Sequence, residues 1–214
     1  LILQGERISI TQQFSALSVN NQALKEGAGL PTPMSIMTAS HPGLNAGHAG
    51  GNVAVELPLA EYWSIDIGQG GDKLTELTTP VISDGHVFTI SASGELSAFE
   101  IETGKLSWKV RIEEFEDDAI PGIAGGLAIS DKTIFAHGGG YNLSALSTKD
   151  GSIIWTKKFK LPLRGGPTVY EKRAVAFTDL DSNLFMLRTE DGSMLWDRTG
   201  LPADTIVYGA PSPA

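Results

Sequence analysis

Cysteine is absent from all 214 residues, which excludes disulfides, thiolate metal ligands and a cysteine nucleophile within this span. It leaves the compartment open, because cytosolic and periplasmic proteins can both lack the residue. Basic residues are scarce: 16 Lys and Arg stand against 25 Asp and Glu, for a net charge of −9. No Lys/Arg run stands out. Nucleic acid and anionic membrane surfaces require clustered cations to meet phosphate, so neither is an expected partner. No apolar run approaches the roughly 18 residues that span a bilayer. No charged-then-apolar leader follows Leu1, so a targeting signal is expected upstream of it. What is present, 41% hydrophobic and 19% charged residues, is the composition of a soluble globular chain able to bury a core as one large domain or two small ones.

An internal repeat organises the chain. "GELSAFEIETGKLSW" (94–108), "YNLSALSTKDGSIIW" (141–155) and "SNLFMLRTEDGSMLW" (182–196) align without a gap. In each, a leucine (Leu96, Leu143, Leu184) precedes a tryptophan (Trp108, Trp155, Trp196) by twelve positions, and a glycine (Gly104, Gly151, Gly192) precedes it by four. Each unit reads as a hairpin: an alternating strand, a turn whose glycine takes positive φ at no steric cost, and a second strand carrying the indole. A ring of that size is suited to filling the space between neighbouring sheets. Upstream of each hairpin, "TTPVISDGHVFTIS" (78–91), "GGLAISDKTIFAHG" (125–138) and "GGPTVYEKRAVAFT" (165–178) each supply two more β-branched and aromatic strands around a polar turn.

Four strands per unit, with tryptophans 41 to 47 residues apart, predict an all-β fold: a β-propeller of four-stranded antiparallel blades. The expected blades cover about 78–112, 123–160 and 165–200. A stretch at 60–68, "AEYWSIDIG", matches only a last strand and places Trp63 in the tryptophan slot; residues 206–214 match only the start of a further blade. Propellers have four to eight blades, so about half of a ring is expected here, with the strand at 60–68 closing it. Residues 60–214 are thus the partial propeller. Residues 1–59, rich in Gly, Pro and Asn apart from a short strand at "GERISI" (5–10), are expected to form an extended N-terminal tail.

Candidate chemistry is sparse. The histidines, His41, His48, His86 and His137, lack the HxxxH spacing of a metal pair, and two of them fall in the expected tail. "DLDSNLFMLRTE" (179–190) puts Asp179, Asp181, Asn183 and Glu190 at calcium-loop positions, but Leu184 replaces the glycine the loop needs, and the repeat makes 184–188 a strand. The glycine runs at 137–142 and 164–167 are not followed by Lys-Ser/Thr and open no helix, so they read as bends rather than phosphate cradles. "RIEEFEDD" (111–118) reads as a solvated inter-blade loop. No catalytic residue, cofactor-binding set or metal site is expected.

"SAFEIETGKLSW" is similar to the pyrroloquinoline-quinone-type propeller repeat, Ala-x-Asp-x-x-Thr-Gly-Lys-x-x-Trp, with Glu100, Ser147 and Arg188 in the Asp slot. Two kinds of protein carry it: quinoprotein dehydrogenases, which hold the quinone and calcium on the propeller axis, and scaffolds without a cofactor. "GERISI", "EYWSIDIGQG" and the first blade resemble the BamB family of outer-membrane assembly lipoproteins, in its alphaproteobacterial form. That resemblance implies a non-catalytic scaffold on the periplasmic face of the outer membrane, tethered by a lipid on a cysteine outside this span. It implies binding to the POTRA domains of BamA, and contact with unfolded outer-membrane protein clients. The family's Leu-x-Leu-Arg-Gly contact segment maps onto Leu161, Leu163 and Arg164, and its acidic contact in the next inter-blade loop maps onto Asp204. The alternatives are a fragment of a quinoprotein dehydrogenase or a generic extracytoplasmic binding propeller.

Overall fold

The computed structural model describes residues 20–27, 29–68, 70, 77–113, 125–200 and 212–213. "GERISI", Asp204 and most of 206–214 lie outside them. After a short helix α1 (Asn21–Glu26), the described chain is all strand and loop. The first blade is β1 (Val81–Ser83), β2 (His86–Ile90), β3 (Glu95–Glu100) and β4 (Leu106–Arg111). The second is β5 (Gly126–Ser130), β6 (Thr133–His137), β7 (Asn142–Ser147) and β8 (Ile153–Lys158). The third is β9 (Leu163–Tyr170), β10 (Ala174–Asp179), β11 (Leu184–Arg188) and β12 (Met194–Arg198). Each blade is one four-stranded sheet in sequence order, every neighbouring pair antiparallel. This is the partial β-propeller that the repeat predicts.

The period-2 pattern of the strands explains how the blades stack. In the second blade, Leu127, Ile129, Ile134, Ala136 and Leu146 join one core with Val81, Phe88, Ile90, Leu96, Ala98 and Ile112 of the first. The alternate residues Ala128, Phe135, Leu143 and Ala145 join another with Leu163, Val169, Val175, Phe177 and Leu187 of the third. Side chains on the two faces of one sheet thus build two successive cores. Phe88 and Phe135 occupy one slot, opposite Ala98 and Ala145, which Ala176 fills in the third blade. Phe177, one position on, faces the second blade, and all three rings are fully buried, each contributing about 2–3 kcal/mol of hydrophobic stabilisation.

Three expectations change. Residues 60–67 form no strand ladder among the described residues, although Trp63 does take its repeat position. Residues 34–53 are not an extended tail. Met34 pairs with Val53, its amide donating to Asn52 O at 2.9 Å, and the loop so closed lies against the blades. "LPLRGGP" is not wholly a crossing either: β9 begins at Leu163, and the bend is taken up inside the strand by Gly165, at φ 70°, beside a shift in the β9–β10 register.

Candidate functional site

The repeat glycines and tryptophans form one joint, made three times. Gly104, Gly151 and Gly192 have φ of 67°, 71° and 68°, and each donates its amide to the residue in the Asp slot, Glu100, Ser147 or Arg188, at 2.9–3.0 Å. Over each glycine lies the indole of the preceding blade. A Cβ on Gly104 would stand 3.0 Å from Trp63, on Gly151 2.7 Å from Trp108, and on Gly192 2.8 Å from Trp155. Each indole Nε1 then donates to the carbonyl three residues before its glycine: Trp63 to Ile101 (2.8 Å), Trp108 to Thr148 (3.1 Å) and Trp155 to Thr189 (2.9 Å). Glycine is required twice over, for its φ and for the absence of a side chain under the ring. Trp196 has no such cap among the described residues; it is 38% exposed, with Arg198 stacked 5.8 Å from its ring centre.

The expected partner-binding segment sits where the second and third blades join. Leu163 donates its amide to Gly140 O at 2.8 Å, and Leu180 donates to Pro162 O at 3.0 Å, so neighbouring turns pin the backbone. Leu161 is half-buried. Leu163 is fully buried, in the core between the two blades, because its strand position points it inward. Arg164 is half-buried and donates from one guanidinium nitrogen to Ser182 Oγ at 3.0 Å. Its buried Nε has no hydrogen-bond partner among the described residues.

Sequence reasoning missed three buried polar groups. Glu113, read as part of a solvated acidic loop, is buried. Its carboxylate accepts from the Tyr141 amide (3.2 Å), the Asn142 amide (3.4 Å) and Asn142 Nδ2 (2.8 Å), so it joins the first blade to the second. Burial pushes its carboxyl above the ordinary carboxylate range, and those hydrogen bonds oppose the shift. His137 is buried between the second and third blades. Its Nε2 donates to Gly165 O at 2.6 Å while Nδ1 accepts from the Gly139 amide at 3.2 Å, a neutral tautomer whose pKa desolvation lowers to about 4. His41, assigned to the tail, is also buried, and its Nε2 accepts from the Val169 amide of β9 at 3.0 Å.

Asp179 spends its carboxylate on its own turn. It accepts from the Asp181 and Asn183 amides at 3.0 and 2.9 Å and from Asn183 Nδ2 at 2.8 Å, which accounts for the polar residues that imitate a calcium loop. Among the described residues no three His, Asp or Glu side chains converge as metal ligands. Calcium takes six to eight oxygens, and the Asp179 turn, whose carboxylate is committed to its own amides, is not such a set.

A family model described as the outer membrane protein assembly factor BamB matches residues 50–199. The curated relatives include that factor from Legionella pneumophila, 30% identical over 151 residues, covering 64% of this chain and 36% of the relative. The Escherichia coli factor is 27% identical over 123 residues, covering 56% and 29%. The chain therefore spans about a third of the length of the curated relatives it matches. Among solved structures, a quinohemoprotein alcohol dehydrogenase from Pseudomonas putida superposes with a TM-score of 0.55 at 17% identity, covering 80% of this chain and 25% of that one. At that identity the likeness concerns the propeller fold alone.

Proposed function

The chain belongs to the outer membrane protein assembly factor BamB family, and on that premise we propose that it is an arc of a non-catalytic scaffold serving β-barrel assembly at the periplasmic face of the outer membrane. The observation that carries this reading is the family match across all three blades. A rigid wheel supports it physically: tryptophan joints and two shared cores fix the blades, so loops between them are presented in constant geometry. In this reading the arc engages the POTRA domains of BamA through the junction of the second and third blades, with unfolded outer-membrane protein clients as further partners. Lipid tethering would come from outside this span. Leu161 and Arg164 are the contact residues, and Asp204 in the following inter-blade segment is the third candidate. Buried Leu163 holds the segment in place.

A half-buried leucine near an arginine whose Nε is unpaired among the described residues has the composition of an interface anchor. Leu161→Ala and Arg164→Ala should each weaken capture of purified BamA POTRA domains by about 1–3 kcal/mol. Unchanged binding in both variants would refute the docking assignment. Dye-linked oxidation of an alcohol on addition of quinone and calcium would refute the scaffold reading itself.

A further inference from the structure

The loop closed by Met34 and Val53 makes contact with all three blades through three consecutive residues. Ala39 pairs with Ile82 in both directions, its amide to Ile82 O at 2.9 Å and the Ile82 amide to its carbonyl at 2.8 Å. Ser40 O accepts from the Ile129 amide at 2.8 Å. His41 Nε2 accepts from the Val169 amide at 3.0 Å. Ile82, Ile129 and Val169 hold the same position in β1, β5 and β9, the first strand of each sheet, opposite Val87, Ile134 and Val175 of the second strand. These amides lie on the free edge of their sheets. The strap at 38–48 therefore satisfies one donor per blade where the first strands converge.

Two of the three acceptors are carbonyls, which do not titrate above strongly acid pH. The third is an imidazole nitrogen, which accepts only while unprotonated. Nδ1 lies 2.8 Å from Ser40 Oγ, leaving Nε2 as the acceptor. We propose that the strap is a proton-released clasp: protonation of His41 turns its Nε2 from acceptor to donor against the Val169 amide and breaks that attachment, so that the segment between His41 and His48 swings off the third blade while His48 keeps its own hold on Thr168. That movement uncovers the edge of β9 at Val169 and opens the cavity of about 550 Å³ that the strap walls with Thr38, Ser40, His41 and Ala46.

The groups facing His41 agree with this. On the strap, His48 stands 6.5 Å away between ring centres and anchors that end through Nδ1 against Pro42 O (2.6 Å) and Nε2 against Pro213 O (2.9 Å) and Thr168 Oγ1 (3.2 Å). From the β1–β2 turn comes Asp84, from β5–β6 Asp131 and Lys132, and from β9–β10 Glu171 and Lys172. Lys172 and Asp131 neutralise one another at 2.7 Å. Burial, with repulsion from His48, holds the His41 pKa down to about 4, so the clasp is closed at neutral pH and opens in acid.

The chain lacks cysteine, so nitroxides on Ala46→Cys and Arg173→Cys label the strap and the third blade alone. Double electron–electron resonance should give a narrow distance distribution at pH 7 that broadens near pH 4, with tryptophan emission reporting that the blades stay folded. His41→Gln keeps an amide oxygen as acceptor but cannot titrate, so its distribution should stay narrow at the pH where the wild type broadens. In the unlabelled protein, the Val169 amide proton should shift upfield with the same midpoint. Broadening of both proteins together, or only where tryptophan emission reports unfolding, overturns the proposal, as does a Val169 midpoint more than about one pH unit from that of strap release.

Discussion

Replacing Gly151 by alanine adds one methyl group under the Trp108 ring, 2.7 Å from Cε3 and 2.8 Å from Cζ3. Two costs arise, and a second glycine separates them. Gly85 has nearly the same φ, 72° against 71°, but its Cβ would meet nothing within 4 Å. Gly85→Ala therefore reports the left-handed backbone alone, about 1–2 kcal/mol. Gly151→Ala adds displacement of a ring that is held from two sides, by its Nε1 bond to Thr148 O and by Phe88 at 5.9 Å between ring centres. Overpacking of a fixed neighbour costs about 1–3 kcal/mol, so Gly151→Ala should lose about 2–5 kcal/mol in all. Urea titrations followed by far-UV circular dichroism give both values, provided the slopes agree. In a Trp108→Leu background the Gly151→Ala cost should fall to that of Gly85→Ala, because the obstructing ring is gone. Equal costs for the two glycines in the wild-type background, to within about 0.5 kcal/mol, would show that the joint is loose and refute this account of blade stacking.

Leu163→Ala should destabilise the arc by about 2–5 kcal/mol, as a leucine lost from a sealed core does, whereas Leu161→Ala at its half-buried site should cost under about 1.5 kcal/mol; thermal melts of the two variants check the order. Acid should weaken the fold through His137, whose pKa is lowered from 6.5 to about 4. Between those values the unfolded chain binds the extra proton, so stability is fully present above about pH 6.5 and falls by on the order of 3 kcal/mol as pH drops towards 4. Glu113 acts in the opposite sense, since its raised carboxyl takes up a proton more readily folded than unfolded. Urea midpoints measured from pH 7 to 4.5 should fall less steeply in His137→Gln, and equal slopes would count against the neutral buried imidazole.

The blades could be read from the chain because their joints demand particular residues. A positive φ beneath an indole admits only glycine, and a slot between two sheets favours a large ring, so Gly151 and Trp108 leave a spacing that survives divergence elsewhere. The same physics explains where the reading failed. Leu161 and Leu163 share a face in any extended strand, and composition alone cannot tell whether that face meets solvent or another blade. The β-bulge at Gly165, which lets β9 begin at Leu163, left only a pair of glycines that suited a simple bend equally well. Glu113 looked solvated because its neighbours are acidic, while the donors it meets are amides of Tyr141 and Asn142, 28 and 29 residues away.

The strap was the hardest part to see, and the reason is chemical. Two of its three attachments use the carbonyls of Ala39 and Ser40, groups every residue possesses, so no side-chain pattern records them. Its glycine and proline content truthfully reports a segment without a core of its own, but that is different from a segment without a seat. The seat is made by repetition: three blades present the same first-strand amide, and a short extended stretch can satisfy them one after another. His41 and His48 are the side chains that mark the contact in the sequence, His41 because the third amide's acceptor is a side chain. A repeat fold thus offers equivalent backbone donors at regular intervals to whatever extended segment crosses it, and the one side chain among the acceptors is where such an otherwise constant contact acquires a dependence on pH.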